Sequence, residues 1–456
     1  SLVLFECSNL QLSNSILWGN PGAEIVVLSS LNPCIMVIDY CDIENGLNGI
    51  DDQSGDLALT WGVGNLNVDP QFESDTTYAL LNSSPCVDAG DPDYDGDGDA
   101  WDIDPDDQDP DGTRMDMGAY YYHQALAYVG PVWHVSTEGS DETGDGSEGS
   151  PFATIQFGID ASLSGDTVLV QPGTYLENIN YTGKNILLGS LLLTTDDSTY
   201  IQQTVIDAGE APNAVEFSSN EDSTAVLLGF TILNGALKGI FCENSSPSIR
   251  SCTISHSMRG IWCWASSPRI NDVVVTNNDE SGIWIGYESH PFITNSTISN
   301  NNGGGIHCTN YSNPTLVDVH IEGNHVSSGY GGGFFADNWC NPQLLRVKIL
   351  ANQADEGGGG IYVGQNSTVN LDSTLITNNY APNQGGGIRV SLHGILIANR
   401  TEISSNSSNY DSGNYYGEPG STVSLANCTV YGAGIYLQGL QEYSTVANYS
   451  NSILWV

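Results

Sequence analysis

The side chains best suited to chemistry lie in one stretch, Asp91-Pro-Asp-Tyr-Asp-Gly-Asp-Gly-Asp-Ala-Trp-Asp102. Carboxylates at alternate positions with a glycine at the sixth follow the pattern of a calcium loop, whose ligands are all oxygens. Asp91, Asp93 and Asp95 would supply side-chain oxygens, and Gly96 would allow the sharp turn. Asp97 would offer its carbonyl, Asp99 would act directly or through water, and Asp102 stands where the pattern has a bidentate Glu. The shorter Asp weakens that closure. A second group follows at Asp107, Asp109, Asp111 and Asp116. Carboxylates crowded in this way repel one another without a cation. The expected cofactor is Ca2+, one or two ions stiffening a junction.

A second set of candidates recurs along the chain. The rows Gly239-Ile-Phe-Cys242, Gly260-Ile-Trp-Cys263, Gly282-Ile-Trp-Ile285, Gly305-Ile-His-Cys308, Gly333-Phe-Phe-Ala336, Gly360-Ile-Tyr-Val363 and Gly387-Ile-Arg-Val390 return every 21 to 28 residues. Side chains alternate across a strand, so the third residue of each row faces away from the core. Strands stacked about 4.8 Å apart would gather Phe241, Trp262, Trp284, Phe335 and Tyr362 into a stripe, with His307 and Arg389 in the same column. Such rings could shield the sheet by packing on each other, take a glycan chain, or form a lateral contact with a neighbouring molecule.

Catalysis finds less support. A lyase of this kind would need a Lys or Arg base beside calcium, and a hydrolase needs clustered carboxylates. The basic residues of the repeats are Lys238, Arg250, Arg259, Arg269, Arg346, Lys348, Arg389 and Arg400. None stands beside an acidic cluster at a matching position of a neighbouring coil. Glu288, Asp337 and Asp355 read as solvated loop residues, and the Asp-rich segment lies outside the repeats. The expectation is that the chain is not an enzyme.

The elements that position these groups follow from the period. Pro247, Pro268, Pro291, Pro314 and Pro342 keep the same beat, each opening a short alternating run such as Ser248-Ile-Arg-Ser-Cys-Thr-Ile254. Repeats of this length with β alternation mean stacked coils, an all-β parallel solenoid. Asn234, Asn277, Asn300, Asn324, Asn352, Asn378 and Asn406 fall just after the second strand of their coils, where stacked amides can bond coil to coil. Cys242, Cys263 and Cys308 occupy an inward position; Cys242 and Cys263 on neighbouring coils could reach bridging distance, and no Cys-x-x-Cys pair points to zinc. Only 155–161 reads as a helix, placed to plug the first coil.

Charge narrows the partners. The chain has 54 acidic and 10 basic residues, a formal net charge of −44. That field repels phosphate backbones, so nucleic acid is not an expected partner. It attracts divalent cations and suits an extracellular or cell-surface location. With 39% hydrophobic residues in a periodic pattern, disorder is excluded, and no apolar run reaches membrane-spanning length. Ser1-Leu-Val-Leu-Phe5 already reads as a buried strand, so the chain is expected to be a processed or excised piece of something longer.

Texture divides the chain into terminal coils of a β-helix (1–90), the Asp-rich calcium segment (91–122), a connector (123–132), and a β-helix with an N-terminal cap and repeated coils (133–456). The string Gly165-Asp-Thr-Val-Leu-Val-Gln-Pro-Gly-Thr-Tyr175, the Gly-Ile rows and Ser84-Pro-Cys-Val-Asp-Ala-Gly-Asp91 resemble right-handed parallel β-helix proteins of the pectin-lyase-like superfamily, of the secreted bacterial surface type. The resemblance covers nearly the whole chain and implies the fold. It implies no single activity, because that superfamily includes lyases, hydrolases, adhesins and inert stalks.

In that family the helix start comes first and the acidic end last; here the end precedes the start. Asn451-Ser-Ile-Leu-Trp455 repeats Asn14-Ser-Ile-Leu-Trp18, so Asn14, Ile16 and Trp18 correspond to Asn451, Ile453 and Trp455. The tail of one copy would continue the cylinder that the head of the next one starts. Head-to-tail contacts propagate unless they close a ring. The same match fits tandem units of one long chain. The expected function is a structural subunit or tandem repeat of an extracellular filament or surface stalk. A glycan-binding adhesin is the alternative, with a polysaccharide lyase or hydrolase behind it.

Overall fold

The glycine of each Gly-Ile row is hemmed in by the carbonyl of the next row and, in most rows, by an inward Ile or Val methyl and a buried amide. A Cβ on Gly282 would lie 2.7 Å from the Asn301 side-chain nitrogen, and one on Gly333 would lie 2.9 Å from that of Asn352. No side chain fits there. Asn278, Asn301, Asn324, Asn352, Asn379 and Asn406 are all buried. Each donates from Nδ2 to the Oδ1 of the next at 2.9–3.1 Å. The ladder satisfies polar groups that would otherwise be stranded in the core, and the glycine leaves room for it.

The computed structural model describes residues 2–4, 10–28, 34–72, 78–81, 83–94, 98, 101, 107–109, 114–118, 132–209, 211–410, 412–432, 434–437 and 446–455. The chain forms two compact units, 1–126 and 127–456. In the second, three parallel sheets of 13, 12 and 11 strands run the length of the solenoid. One coil contributes a strand to each, as in Ser248–Arg250, Thr253–Ser255 and Arg259–Trp264. Strand neighbours in every sheet come from successive coils. The expected all-β parallel solenoid is therefore the fold. Its core is a column of Ile, Val, Leu and Cys, including Ile240, Ile261, Ile283, Ile306, Ile361 and Ile388 at no more than 1% exposure. Along thirteen strands the shaft extends for roughly 60 Å.

The helix Ile155–Ala161 forms as expected, with the Thr154 side chain accepting from the Phe157 N–H. It buries Ile155 and Ile159 against the first coil. Two further helical turns, Leu192–Thr195 and Thr199–Gln203, were not expected from the sequence. The asparagine ladder also needs correction. Asn324, Asn352 and Asn406 occupy it, but Asn277, Asn300 and Asn378 turn the corner in left-handed backbone, at φ 55°, 54° and 58°. Their following residues, Asn278, Asn301 and Asn379, bury the amide instead. Asn234 is also left-handed and donates to Asp207 Oδ1 at 2.9 Å.

The first unit has three shorter parallel ladders. One joins Leu2–Leu4, Ile25–Val27 and Ile50–Asp52; another joins Leu10–Leu12, Cys34–Ile38 and Leu57–Trp61; the third joins Ile16–Leu17 and Asp42–Ile43. Ile25, Val27, Met36 and Ile38 form its core. Cys34 is disulfide-bonded. Cys242 and Cys263 face each other in register, yet both are free and buried, as is Cys308.

Candidate functional site

The outward column is continuous in register: Phe241, Trp262, Trp284, His307, Phe335, Tyr362, Arg389, Tyr416 and Tyr436 pair strand to strand. The stripe expected at Phe241, Trp262, Trp284, Phe335 and Tyr362 is thus assembled on one sheet. Its rings pack on one another. His307 and Phe335 stack at 4.3 Å and 12°, and Phe335 and Tyr362 at 5.2 Å and 15°. Trp262 and Trp284 meet at 4.8 Å but are tilted by 59°. Lys238 Nζ lies 3.9 Å from the Phe241 ring and the Arg259 guanidinium 4.5 Å from Trp262. Ring packing leaves Phe241, Trp262, Trp284, Phe335 and Tyr362 only partly exposed.

A groove runs along the strand-entry side of this column. The row spacing rises from 23 residues between Ile283 and Ile306 to 28 between Ile306 and Phe334. The added residues form a fourth small parallel sheet, His325–Val326, Gln353–Ala354, Tyr380–Ala381 and Ser407–Ser408. Its loops stand beside the rings. Two cavities result. One of about 500 Å³ is lined by Arg259, Asp279, Glu280, Trp284, His307 and Tyr330, among others. The other, of about 490 Å³, is lined by Tyr330, Glu356, Asn383, Gln384, Arg389 and Tyr410. Tyr330 lines both, stacking on Tyr362 at 4.6 Å beneath the Arg389 guanidinium at 4.7 Å.

The groove combines apolar surface with groups able to transfer or hold protons. Arg259 pairs with Glu280 at 2.5 Å, and Arg389 with Glu418 at 2.6 Å. Asp279 is exposed and shares the first cavity with Glu280. Burial, reinforced by Arg259, pushes His307 down to about 4, so it is a neutral ring at neutral pH. Burial and the hydrogen bond to Glu356 raise the Tyr330 phenol, which stays protonated. Glu280 and Glu356 precede rows three coils apart, on the order of 14 Å. That exceeds the separation of a glycosidase pair, so Asp279 and Glu280 are the carboxylates that one cavity brings together.

Sequence reasoning missed Asp279, Glu280, Tyr330 and Glu356. For Tyr330 and Glu356 the signal was present in the lengthened repeat, which marks where loops leave the cylinder; Asp279 and Glu280 precede a row of ordinary spacing and carry no such mark.

The Asp-rich loop is partly described. Asp95, Asp97, Asp99, Asp102 and Asp111 lie outside the described residues. Of the others, Asp91 Oδ1 accepts from the Asp93 N–H at 3.2 Å and Asp93 Oδ1 from the Gly98 N–H at 3.2 Å. Asp107 is buried and accepts from the Tyr94 N–H at 2.5 Å. Asp109 accepts from the Asp116 N–H at 2.8 Å, and Asp116 from the Asp88 N–H at 2.7 Å. Among the described residues no three acidic, His or Cys side chains form a metal-holding group. Burial, then the Asp93 charge, raises the Asp91 carboxyl.

The repeated pentapeptide adopts one conformation twice. Asn14 and Asn451 are both left-handed, at φ 48° and 47°. Strands follow at Ile16–Leu17 and Ile453–Trp455. Asn14, Ile16 and Trp18 line a cavity of about 620 Å³ with Phe72, Tyr78 and Leu80. Ile453–Trp455 pairs with Thr429–Tyr431 at the end of its sheet.

Among the described residues no helix is long and apolar enough to cross a membrane. The family model for a right-handed β-helix region matches residues 213–401. No curated protein sequence matches the chain. Similar solved structures include pectate lyase Pel9A, at 13% identity, TM-score 0.41, covering 68% of this chain and 78% of that one. Another is the catalytic unit of a thermostable α-1,3-glucanase from Streptomyces thermodiastaticus, at 14%, TM-score 0.39, covering 73% and 71%. A third is the A-module of a mannuronan C-5 epimerase from Azotobacter vinelandii, at 12%, TM-score 0.38, covering 66% and 90%. These titles name polysaccharide-acting enzymes, and the expectation that this chain is not an enzyme is corrected accordingly. Arg259 does pair with one carboxylate of the next coil, Glu280, a contact that comparing rows position by position does not reveal. The chain has the fold of a right-handed parallel β-helix.

Proposed function

We propose that the protein acts on polysaccharides, holding an extended glycan in the groove between the aromatic column and the loops of residues 279–281, 302–303 and 326–331. One observation carries this reading: two adjoining cavities share Tyr330, are floored by rings and are edged by Asp279, Glu280, Glu356 and Arg389. Sugar rings present apolar faces to aromatic side chains and hydroxyls to carboxylates and guanidinium groups. Asp279 and Glu280 are the acid–base candidates, Arg259 orients Glu280, and Tyr330 positions the chain. The test is turnover of a panel of neutral and uronate polysaccharides, read by reducing ends and by ultraviolet absorbance of unsaturated products. Turnover abolished by Glu280→Gln supports the reading; a panel wholly untouched by the unsubstituted chain defeats it.

Calcium at the loop that begins at Asp91 belongs to the same reading, supported by the alternate spacing of Asp91, Asp93 and Asp95 ahead of Gly96. An extracellular setting is supported by the disulfide at Cys34, since such bonds persist in oxidising compartments. End-to-end association of copies is a second reading. One observation favours it: on the outermost strands Ala447 and Leu454 continue the inward column of the buried Val423 and Val430, and Leu454 stands 40% exposed. A further coil, in the same chain or in another copy, would cover them. Sedimentation across a concentration series tests association, and a constant monomer contradicts it.

A further inference from the structure

Three rings outside the groove are held at a cost. Tyr287, Tyr311 and Trp339 follow the outward-column strands Ile283–Gly286, Ile306–Cys308 and Phe334–Ala336. Their backbones are left-handed, at φ 57°, 61° and 69°. A bulky side chain rarely adopts that conformation, and such strain is retained where function or packing demands it. Other coils turn the same corner with Asn244, Ala265, Asn366 or His393 at positive φ. In these three coils two successive residues are left-handed: Tyr287 with Glu288, Asn310 with Tyr311, and Asn338 with Trp339.

Burial in the core does not explain the rings, because they stand exposed at 45%, 54% and 51%. The corner beneath them is stiff. The Glu288 N–H donates to Asn310 O at 2.9 Å and the Tyr311 N–H to Asn338 O at 3.1 Å. Asn338 Nδ2 donates to Asn310 Oδ1. Tyr311 and Trp339 are parallel within 7°, their centroids 6.1 Å apart. Tyr287 stacks on Trp264 at 3.7 Å, and Trp264 on Trp284 of the column at 5.9 Å.

We propose that Tyr287, Tyr311 and Trp339 form a second carbohydrate site, on the strand-exit side of the sheet, that holds an uncharged polysaccharide while the groove works on it. The inference rests on the reading of the chain as polysaccharide-acting. Aromatic rings on successive coils offer a fixed set of contacts to a repeating polymer, with Tyr hydroxyls and Asn amides at their edges. Charge selects the class. The rim carries Glu288, and the chain bears a net charge of −44, so a uronate polymer would be repelled and a neutral one would not.

The experiment is affinity electrophoresis of the full chain in gels containing xylan, β-glucan, galactomannan, polygalacturonate or alginate. Three proteins are compared: unsubstituted, Tyr311→Asn with Trp339→Asn, and Tyr330→Ala in the groove. Asparagine tolerates the left-handed backbone, so the double substitution removes rings without adding strain, and circular dichroism checks the fold. The expected result is retardation by a neutral polymer, weakened about tenfold or more in the Tyr311/Trp339 variant, with turnover of short oligosaccharides unchanged. Unaltered retardation in that variant, together with loss in Tyr330→Ala, overturns the second site and leaves the groove standing. Loss only in the double variant supports the second site and removes the groove. Retardation by none of the five, or by the uronate polymers alone, overturns the proposal.

Discussion

Replacing Asn352 by Ala should remove the interaction that fixes coil spacing beneath the groove. Its Oδ1 accepts from the backbone N–H and from Nδ2 of Asn324, both at 3.0 Å. Its Nδ2 donates to Ile321 O at 2.9 Å and to Asn379 Oδ1 at 3.1 Å. Asn379 Oδ1 keeps the Asn352 backbone N–H at 2.9 Å, and Asn324 Nδ2 keeps Ile298 O at 2.9 Å. The substitution therefore strands the Asn324 N–H and removes a donor from Ile321 O, at a site 1% exposed. Each stranded group costs about 1–3 kcal/mol, so the loss should be about 2–6 kcal/mol, the lower end if water enters. Asn370→Ala is the control, since its amide bonds to Asn341 at an exposed position and should cost under about 0.5 kcal/mol. Urea unfolding measures the total. Because a solenoid can open locally, hydrogen exchange at the Asn324 amide measures the coil itself. Equal stability of the two variants, with Asn324 still protected, would refute the account of the ladder.

Other outcomes follow from the same geometry. Burial pushes native His307 down to about 4 from its ordinary 6.5. The unfolded chain therefore binds the extra proton between those values; stability is full above 6.5 and falls as pH drops towards 4, by about 3 kcal/mol. His307→Phe should flatten that part of a melting-temperature profile, and an unchanged slope would contradict it. Glu280→Gln should lower turnover by a hundredfold or more while leaving glycan affinity within a few-fold; an equal loss of affinity would make Glu280 a binding group. Calcium should raise the melting temperature of the whole chain, and Asp91→Asn with Asp93→Asn should remove most of that rise, as scanning calorimetry would show.

The cylinder was legible because its period is a packing constraint: inward Ile and Val at each row, and a glycine wherever an amide must pass. The choice between neighbouring asparagines was not legible. In Asn277-Asn278 and Asn300-Asn301 either residue could turn the corner, and only the phase of the coil decides which amide is buried. The outward column was readable from alternation, since register preserves it. Its partial burial was not, because loops and stacked rings cover it. The groove eluded a row-by-row reading for a related reason. Tyr330 sits on a loop whose position depends on coil length, and Arg259 meets Glu280 only between neighbouring coils. The corner rings Tyr287, Tyr311 and Trp339 show no strict spacing, and their left-handed backbone is invisible in a string of residues.

Tyr330 lines both halves of the groove, so the affinity of the Tyr330→Ala variant for a polysaccharide bound by the unsubstituted chain tests the central claim most directly. Removing its ring contacts should cost about 1.4 kcal/mol, roughly tenfold in affinity by titration calorimetry, with the fold retained. Undiminished affinity in the variant would place the glycan elsewhere on the molecule and contradict the groove.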